Sequence, residues 1–275
     1  MDSSDIVSEA EEILFSPLTI GGYYVSGIVY FLLPAAAFLI MRRYGAARLY
    51  PVITGAIVYF LSTGLCDMSV MLLLASAPYE RKAAAAVELV GFFEETARWL
   101  AMKYPITDIK KPNAAICYGI GHGGLECWIR GIQKFQVAGY GQKLRNEGIE
   151  AFISGKSAEK ASEITERLRG FADNGFFMSL LDSVHSAAAF GVHIALSLLI
   201  FRKVIKGDMQ KRWLVLAIVL HVGLNETAGI AQFLGGVLAS DIAGIIFCVF
   251  IIALVYKKTD GRQVINDIVY PIERI

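Results

Sequence analysis

Residues 20–41 read IGGYYVSGIVYFLLPAAAFLIM, a run of 22 residues without a charged side chain. A helix needs about 20 apolar residues to cross a hydrocarbon core of roughly 30 Å, so this run alone predicts a transmembrane helix. The whole chain of 275 residues is similarly apolar, because its mean hydropathy is +0.53 and only 19% of its residues are charged. Soluble domains carry about 25% charged residues. The composition therefore predicts a membrane protein and excludes a disordered chain or a disulfide-stapled secreted domain.

Apolar runs of this length recur along the sequence. We predict seven transmembrane helices, at about 20–41, 51–77, 84–104, 113–132, 174–201, 212–234 and 237–256. Lys and Arg cluster after the first, third, fifth and seventh spans. By the positive-inside rule that side is the cytoplasm, which leaves the N-terminus outside and the C-terminus cytoplasmic. The predicted fold class is an all-α, polytopic transmembrane helix bundle, a single domain over residues 1–275 in the plasma membrane. No basic region precedes the first span, so we expect no cleavable signal peptide.

One long polar segment, residues 133–173, lies on the predicted outer side. Four apolar residues recur in it at helical spacing: Ala161, Ile164, Leu168 and Phe171. Two interpretations stay open for this segment, namely an amphipathic helix on the membrane surface or capping the bundle, and a plain solvated connector. The four cysteines all fall inside predicted spans without a CxxC pair, so neither a disulfide nor a thiolate zinc site is expected. The net charge of +1 gives no sign of nucleic-acid binding.

Ionisable side chains occur at a similar depth in four of the predicted spans. Counted from the cytoplasmic ends at about 1.5 Å per residue, they lie about 8–10 residues in, roughly 12–15 Å deep: Glu94, His122, His193 and His221. Ionisable residues inside a membrane are costly and mark either function or a specific pairing. One carboxylate and three imidazoles in a single layer predict a functional site near the middle of the membrane.

Residues spaced i,i+4 share one face of a helix, and three such pairs include members of this layer: Glu94 with Arg98, His122 with Glu126, and His221 with Asn225. The second pair resembles the two-ligand units of helical zinc sites. Arg98 is placed to hold a carboxylate ionised and oriented. The amide of Asn225 is a candidate donor to an oxyanion.

Other membrane charges receive a structural or access-path interpretation. His185 lies two turns from His193, about 12 Å along the helix, so both cannot ligate one metal ion. Asp182, Asp67 and Glu88 receive the same structural or access-path interpretation.

Each residue of the layer taken alone has a structural explanation. A Glu–Arg pair can be a helix ion pair, a membrane histidine can join two helices, and the glycines Gly121, Gly123 and Gly124 can serve helix packing. The coincidence of depth and pairing favours a catalytic site instead. A buried glutamate beside histidines and a metal ion can activate a water molecule for attack. Inside a membrane, this chemistry predicts hydrolysis of a peptide bond in a membrane-associated substrate.

At these residues the sequence resembles the YhfC-type intramembrane metalloproteases, relatives of the CPBP family of CAAX proteases and bacteriocin-processing enzymes. The resemblance rests on residues 93–98 (FEETAR), 121–126 (GHGGLE) and 193–197 (HIALS) and on His221-xxx-Asn225, and it extends over roughly 20–256. It implies a helical membrane bundle in which Glu94 is the general base. It also implies catalytic or metal-binding roles for His122, His221 and Asn225, and His193 matches a histidine of the YhfC pattern. The wider family has EExxxR where this chain has EExxR.

The prediction from the sequence is therefore an intramembrane endopeptidase acting on membrane-embedded or lipidated peptides. Zn²⁺ or another divalent metal is the expected cofactor, with four candidate ligands: His122, His193, His221 and Glu126. Glu94 is the expected base, Glu95 and Arg98 organise its surroundings, and Asn225 is the oxyanion or substrate donor. Two alternatives stay open, a secondary transporter or proton-coupled carrier with a midplane His/Glu site, and a non-catalytic membrane partner whose polar layer fixes helix packing.

Overall fold

The computed structural model describes residues 13, 15–104, 106, 111–205 and 211–270. These residues form nine helices and no strand, which confirms the all-α class. In chain order the helices are α1 (Pro17–Arg43), α2 (Leu49–Leu73), α3 (Tyr79–Lys103), α4 (Pro112–Glu147), α5 (Glu150–Ile153), α6 (Ala158–Asp173), α7 (Phe176–Ile205), α8 (Lys211–Thr259) and α9 (Gly261–Val269).

Four of these helices are long and apolar enough to cross a membrane, namely α1, α2, α7 and α8. Helix α3 overlaps the predicted span 84–104, and helix α4 contains the predicted span 113–132 and extends beyond it, but charged side chains lower the hydropathy of both helices. The chain is thus a multi-pass membrane protein. The count of seven spans and the orientation stay predictions.

Helix α8 reverses its direction at Gly236. This residue has φ 73° and ψ −169°, outside the helical region, and glycine adopts such a positive φ without strain. Gly223 before the break packs against the ring of Phe247 after it, so the two arms run antiparallel. The reversal separates the predicted spans 212–234 and 237–256. Helix α8 is therefore a helical hairpin, and His221 lies in its first arm.

The chain divides into two contact units, each with its own apolar core. The larger unit comprises Leu32–Cys127 and the chain from His185 onward, and its core includes Met102, Leu196 and Ile251. The smaller unit comprises the chain up to Phe31 together with Trp128–Val184. Phe15 and Leu168 belong to the core of the smaller unit. All the residues of the predicted site belong to the larger unit.

The polar segment 133–173 is mostly helical. Its first part continues α4 as far as Glu147, and its last part is α6, in which the Ser157 side chain accepts a hydrogen bond from the backbone N–H of Lys160. Ala161 and Leu168 are buried in the core of the smaller unit, and Ile164 packs against that core. The structure thus favours the amphipathic helix over the plain connector, because the apolar face of α6 is packed.

Glycines of α4 bring three helix backbones together around His122. Gly121 lies against the backbone oxygen of Val52 in α2, and Gly119 lies against Cα of Ile194 in α7. Small residues allow this close approach between membrane helices. The positions beside His122 therefore serve helix packing, and the packing holds that imidazole between α2 and α7.

Gly121→Ala should lower the free energy of unfolding by about 1–3 kcal/mol, because the added methyl group would overlap the backbone of α2. The matched control is Gly139→Ala on the same helix, where an added Cβ meets no atom of the described residues within 4 Å. Alanine there should leave stability unchanged or raise it by about 0.5–1 kcal/mol through its helix propensity. Denaturant-induced unfolding in detergent measures both variants. Equal stabilities of the two variants would contradict the contact between α2 and α4.

Candidate active site and metal centre

Three glutamate–histidine pairs lie side by side in the larger unit. Each pair is joined by an N···O contact of 2.7–2.9 Å, which is hydrogen-bond distance: Glu94 with His122, Glu126 with His193, and Glu95 with His221. The ring of His193 adjoins the other two imidazoles, since its centroid is 5.1 Å from that of His122 and 5.3 Å from that of His221. The predicted layer is therefore a contiguous cluster.

Four helices position these side chains. Helix α3 supplies Glu94, Glu95 and Arg98, α4 supplies His122 and Glu126, α7 supplies His193, and the first arm of α8 supplies His221. All of them are buried except Glu126, which is partly buried. The i,i+4 spacing of the two α4 residues places both on the face that meets α3 and α7.

Arg98 is fully buried, and its guanidinium group makes hydrogen bonds to two helices. Nε donates to Oε2 of Glu95 at 3.0 Å. Nη1 donates to the backbone oxygen of His193 at 2.9 Å and to Oγ of Ser197 at 2.6 Å. Nη2 lies 3.0 Å from Nδ1 of His193. The carboxylate that Arg98 holds is thus that of Glu95, and the same side chain fixes α7 against α3.

Glu95 uses both of its oxygens. Oε2 accepts from Arg98, and Oε1 lies 2.9 Å from Nδ1 of His221. Because an ionised carboxylate only accepts hydrogen bonds, a neutral His221 carries its proton on Nδ1 and keeps a lone pair on Nε2. Histidines that bind metals in proteins are oriented by a carboxylate in this manner.

Three residues bring potential metal ligands together. One ligand atom from each of Glu94, His122 and His193 lies within 4.8 Å of the others. Carboxylate oxygen and imidazole nitrogen are the donors that Zn²⁺ and related divalent metals accept. In addition, Nδ1 of His122 is buried and has no hydrogen-bond partner among the described residues. The donor set and this unpartnered nitrogen fit a divalent metal ion.

The remaining predicted residues lie in other surroundings. Asn225 is partly buried, and its amide donates to the backbone oxygen of Val87 at 3.4 Å. Nδ1 of His185 lies 3.0 Å from Oδ1 of Asp241, in the second arm of α8. This pairing agrees with the structural interpretation of His185. In the smaller unit, Asp182 contacts Tyr30 at 2.9 Å and Lys134 at 2.6 Å, which agrees with the structural interpretation of Asp182.

Three residues that contact predicted site residues or His185 received no role from the sequence. Ser197 bonds to Arg98 one turn after His193, a spacing that could have indicated it. Asp241, the partner of His185, is an acidic residue inside a predicted span and could have been found by the same criterion as Asp182. The ring of Tyr118 lies beneath the guanidinium of Arg98, 5.9 Å from Cζ, and an aromatic residue in an apolar helix gives no signal of this kind.

Comparison with known proteins gives one family and one relative. A family model described as YhfC intramembrane metalloprotease matches residues 29–246, a range that contains the whole cluster. An uncharacterized membrane protein of Bacillus subtilis (strain 168), YhfC, is 25% identical over 219 residues, which cover 76% of this chain and 83% of the relative. No solved structure matches the chain.

Proposed function

Since the chain belongs to the YhfC intramembrane metalloprotease family, we propose that it is an intramembrane endopeptidase that hydrolyses peptide bonds of membrane-embedded or lipidated substrates. The observation that carries the proposal is the buried group of Glu94, His122 and His193, in which one carboxylate oxygen and one nitrogen of each ring lie within 4.8 Å of one another. Ionisable groups at membrane depth are costly and mark function or a specific pairing, and here three carboxylate–imidazole pairs adjoin one another.

Glu94 is the proposed general base. Glu94 is 4% exposed, and its Oε2 lies 2.9 Å from Nε2 of His122, which holds the carboxylate in one orientation. In this role Glu94 takes a proton from the attacking water and delivers it to the nitrogen of the departing amine. His122 keeps the carboxylate directed into the cluster during both transfers.

The cluster contains four candidate metal ligands: His122, His193, His221 and Glu126. Zn²⁺ is the proposed ion because imidazole nitrogens and carboxylates are its usual donors, and three of the four residues suffice for a catalytic zinc site. A divalent metal bound there supplies a Lewis acid for the scissile carbonyl group.

Asn225 is the proposed donor to the carbonyl oxygen or to the substrate backbone. Its hydrogen bond to Val87 is long at 3.4 Å, so the amide can exchange that partner for a substrate oxygen at little cost. Glu95 and Arg98 act through other residues, since they fix the rings of His221 and His193.

Removal of the metal should stop the reaction. Purified protein in proteoliposomes is incubated with transmembrane and lipidated peptides, and fragments are identified by mass spectrometry. We expect cleavage to cease with 1,10-phenanthroline, to continue with the non-chelating 1,7-phenanthroline, and to return on addition of Zn²⁺, because the ion assists attack on the carbonyl. Undiminished cleavage by metal-stripped protein would contradict the metal's role, and absence of cleavage by untreated wild-type protein would contradict the peptidase.

A further inference from the structure

Both ring nitrogens of His193 are already engaged. Nδ1 lies 3.0 Å from Nη2 of Arg98, and Nε2 lies 2.7 Å from Oε2 of Glu126. A guanidinium group has only donors, so Nδ1 of His193 must be the acceptor and carries no proton. A neutral imidazole has one N–H, and here that proton is on Nε2. His193 therefore donates a hydrogen bond to the carboxylate of Glu126.

This arrangement prevents Nε2 of His193 from binding a metal ion. A histidine ligand is a neutral imidazole that binds through a nitrogen lone pair. The one lone pair of the His193 ring is on Nδ1 and is taken by Arg98. The proton could move to Nδ1 only if Arg98 withdrew, yet Arg98 is fully buried and also bonded to Glu95 and Ser197. Withdrawal would therefore break a network of charge-assisted hydrogen bonds.

The other two histidines lack this obstacle. Nε2 of His122 donates to Glu94, so the lone pair of the neutral ring is on Nδ1, which has no hydrogen-bond partner among the described residues and is open to a ligand. Glu95 keeps the proton of His221 on Nδ1, which leaves the lone pair on Nε2. The hydrogen bonds thus distinguish His193 from His122 and His221, which can bind a metal ion as neutral imidazoles.

We infer that His193 is a positioning residue and not a metal ligand. Arg98 fixes the ring of His193 through Nδ1, and the ring in turn holds the carboxylate of Glu126 through Nε2. Glu126 is then the candidate ligand on α4, and it accepts the hydrogen bond of His193. The absence of His193 from the ligand set rests on the proposed metalloprotease function. The proton on Nε2 of His193 follows from the contacts with Arg98 and Glu126 alone.

The position of the proton can be observed directly. The chain has four histidines, so ¹⁵N-histidine labelling gives a simple NMR spectrum in which His193→Gln identifies the signals of His193. In metal-free protein we expect a protonated Nε2 and an unprotonated Nδ1 for His193. Both should persist when Zn²⁺ is added, while the signals of His122 change. A protonated Nδ1, or loss of the Nε2 proton on addition of Zn²⁺, would overturn the inference.

Substitution separates positioning from ligation. In His193→Gln the side-chain carbonyl can still accept from Arg98 and the amide can still donate to Glu126, so Zn²⁺ affinity should stay within about tenfold of wild type. His193→Leu removes both contacts and should weaken Zn²⁺ binding about 10–100-fold, the loss expected when a group that orients a ligand is removed. His122→Gln removes a proposed ligand and should weaken binding more than His193→Leu does.

Equal losses in His193→Gln and His122→Gln would overturn the positioning role, because glutamine would then have failed to replace a ligand. A wild-type protein that binds no Zn²⁺ in the same titration would contradict the proposed metal. In that case the NMR spectrum alone decides whether His193 donates to Glu126. Absence of peptide cleavage with the expected NMR and titration results would contradict the peptidase and support the assignment of His193.

Discussion

Glu94→Gln should lower the rate of peptide hydrolysis about 10²–10⁴-fold, the contribution that a general base makes to such a reaction. Glutamine preserves the size of the side chain, and its carbonyl oxygen can still accept from Nε2 of His122, so the fold should be retained. The amide cannot take a proton from water, and that is the step proposed for Glu94. Initial rates in proteoliposomes, with thermal unfolding recorded on the same samples, measure the two properties separately.

The matched control is Glu88→Gln, because Glu88 is an exposed carboxylate on the same helix. It should hydrolyse peptides at the wild-type rate. Wild-type activity in Glu94→Gln would exclude Glu94 as the base. If Glu94→Gln and Glu88→Gln lost activity to the same degree, the loss would come from the reduced negative charge of α3 and not from removal of a general base.

Arg98→Met should lower the free energy of unfolding by about 3–5 kcal/mol, the loss typical of removing one partner from a buried ion pair. Arg98 is 0% exposed, and its removal leaves the carboxylate of Glu95, also 0% exposed, without its cation. The hydrogen bonds to Ser197 and to the backbone of His193 are lost as well. Methionine fills part of the volume of the arginine side chain, so the loss of unfolding free energy reflects mainly the missing charge and hydrogen bonds. Denaturant titration in detergent measures it.

Two further variants test this explanation. Arg81→Met removes an exposed arginine from the same helix and should leave stability unchanged. The double variant Glu95→Gln/Arg98→Met leaves no unpaired buried charge, so it should be more stable than the sum of the two single losses implies. Equal stabilities of Arg81→Met and Arg98→Met, or strict additivity in the double variant, would contradict a buried ion pair between Glu95 and Arg98.

The features of the fold that were predicted correctly are local properties of the sequence. Runs of apolar residues sufficed to predict the long apolar helices. Helix α1, for example, matches the predicted span 20–41 within three residues at either end. The resemblance to the YhfC family, inferred from four short motifs, is confirmed by the family match over residues 29–246. Depth along each helix is also a local property, and it sufficed to predict that Glu94, His122, His193 and His221 lie together.

The pairing within the cluster could not be predicted, because it depends on how the helices are rotated about their axes. Sequence spacing places Arg98 on the face of Glu94, yet its guanidinium bonds to Glu95 and to His193 on another helix. The pairing of His185 with Asp241 likewise requires the reversal of α8 at Gly236. The sequence therefore could not distinguish among the four predicted ligands, because the distinction depends on the hydrogen bonds of the folded protein.

Hydrolysis in H₂¹⁸O is the most direct test of the central claim, that Glu94 activates water to cleave a peptide bond within the membrane. Wild-type protein and Glu94→Gln are reconstituted with a transmembrane peptide in labelled water, and the fragments are analysed by mass spectrometry. We expect ¹⁸O in the new C-terminal carboxylate of wild-type fragments and hardly any fragments from Glu94→Gln. Labelled fragments formed equally by Glu94→Gln, or Glu94-dependent solute flux without fragments from either protein, would contradict the claim.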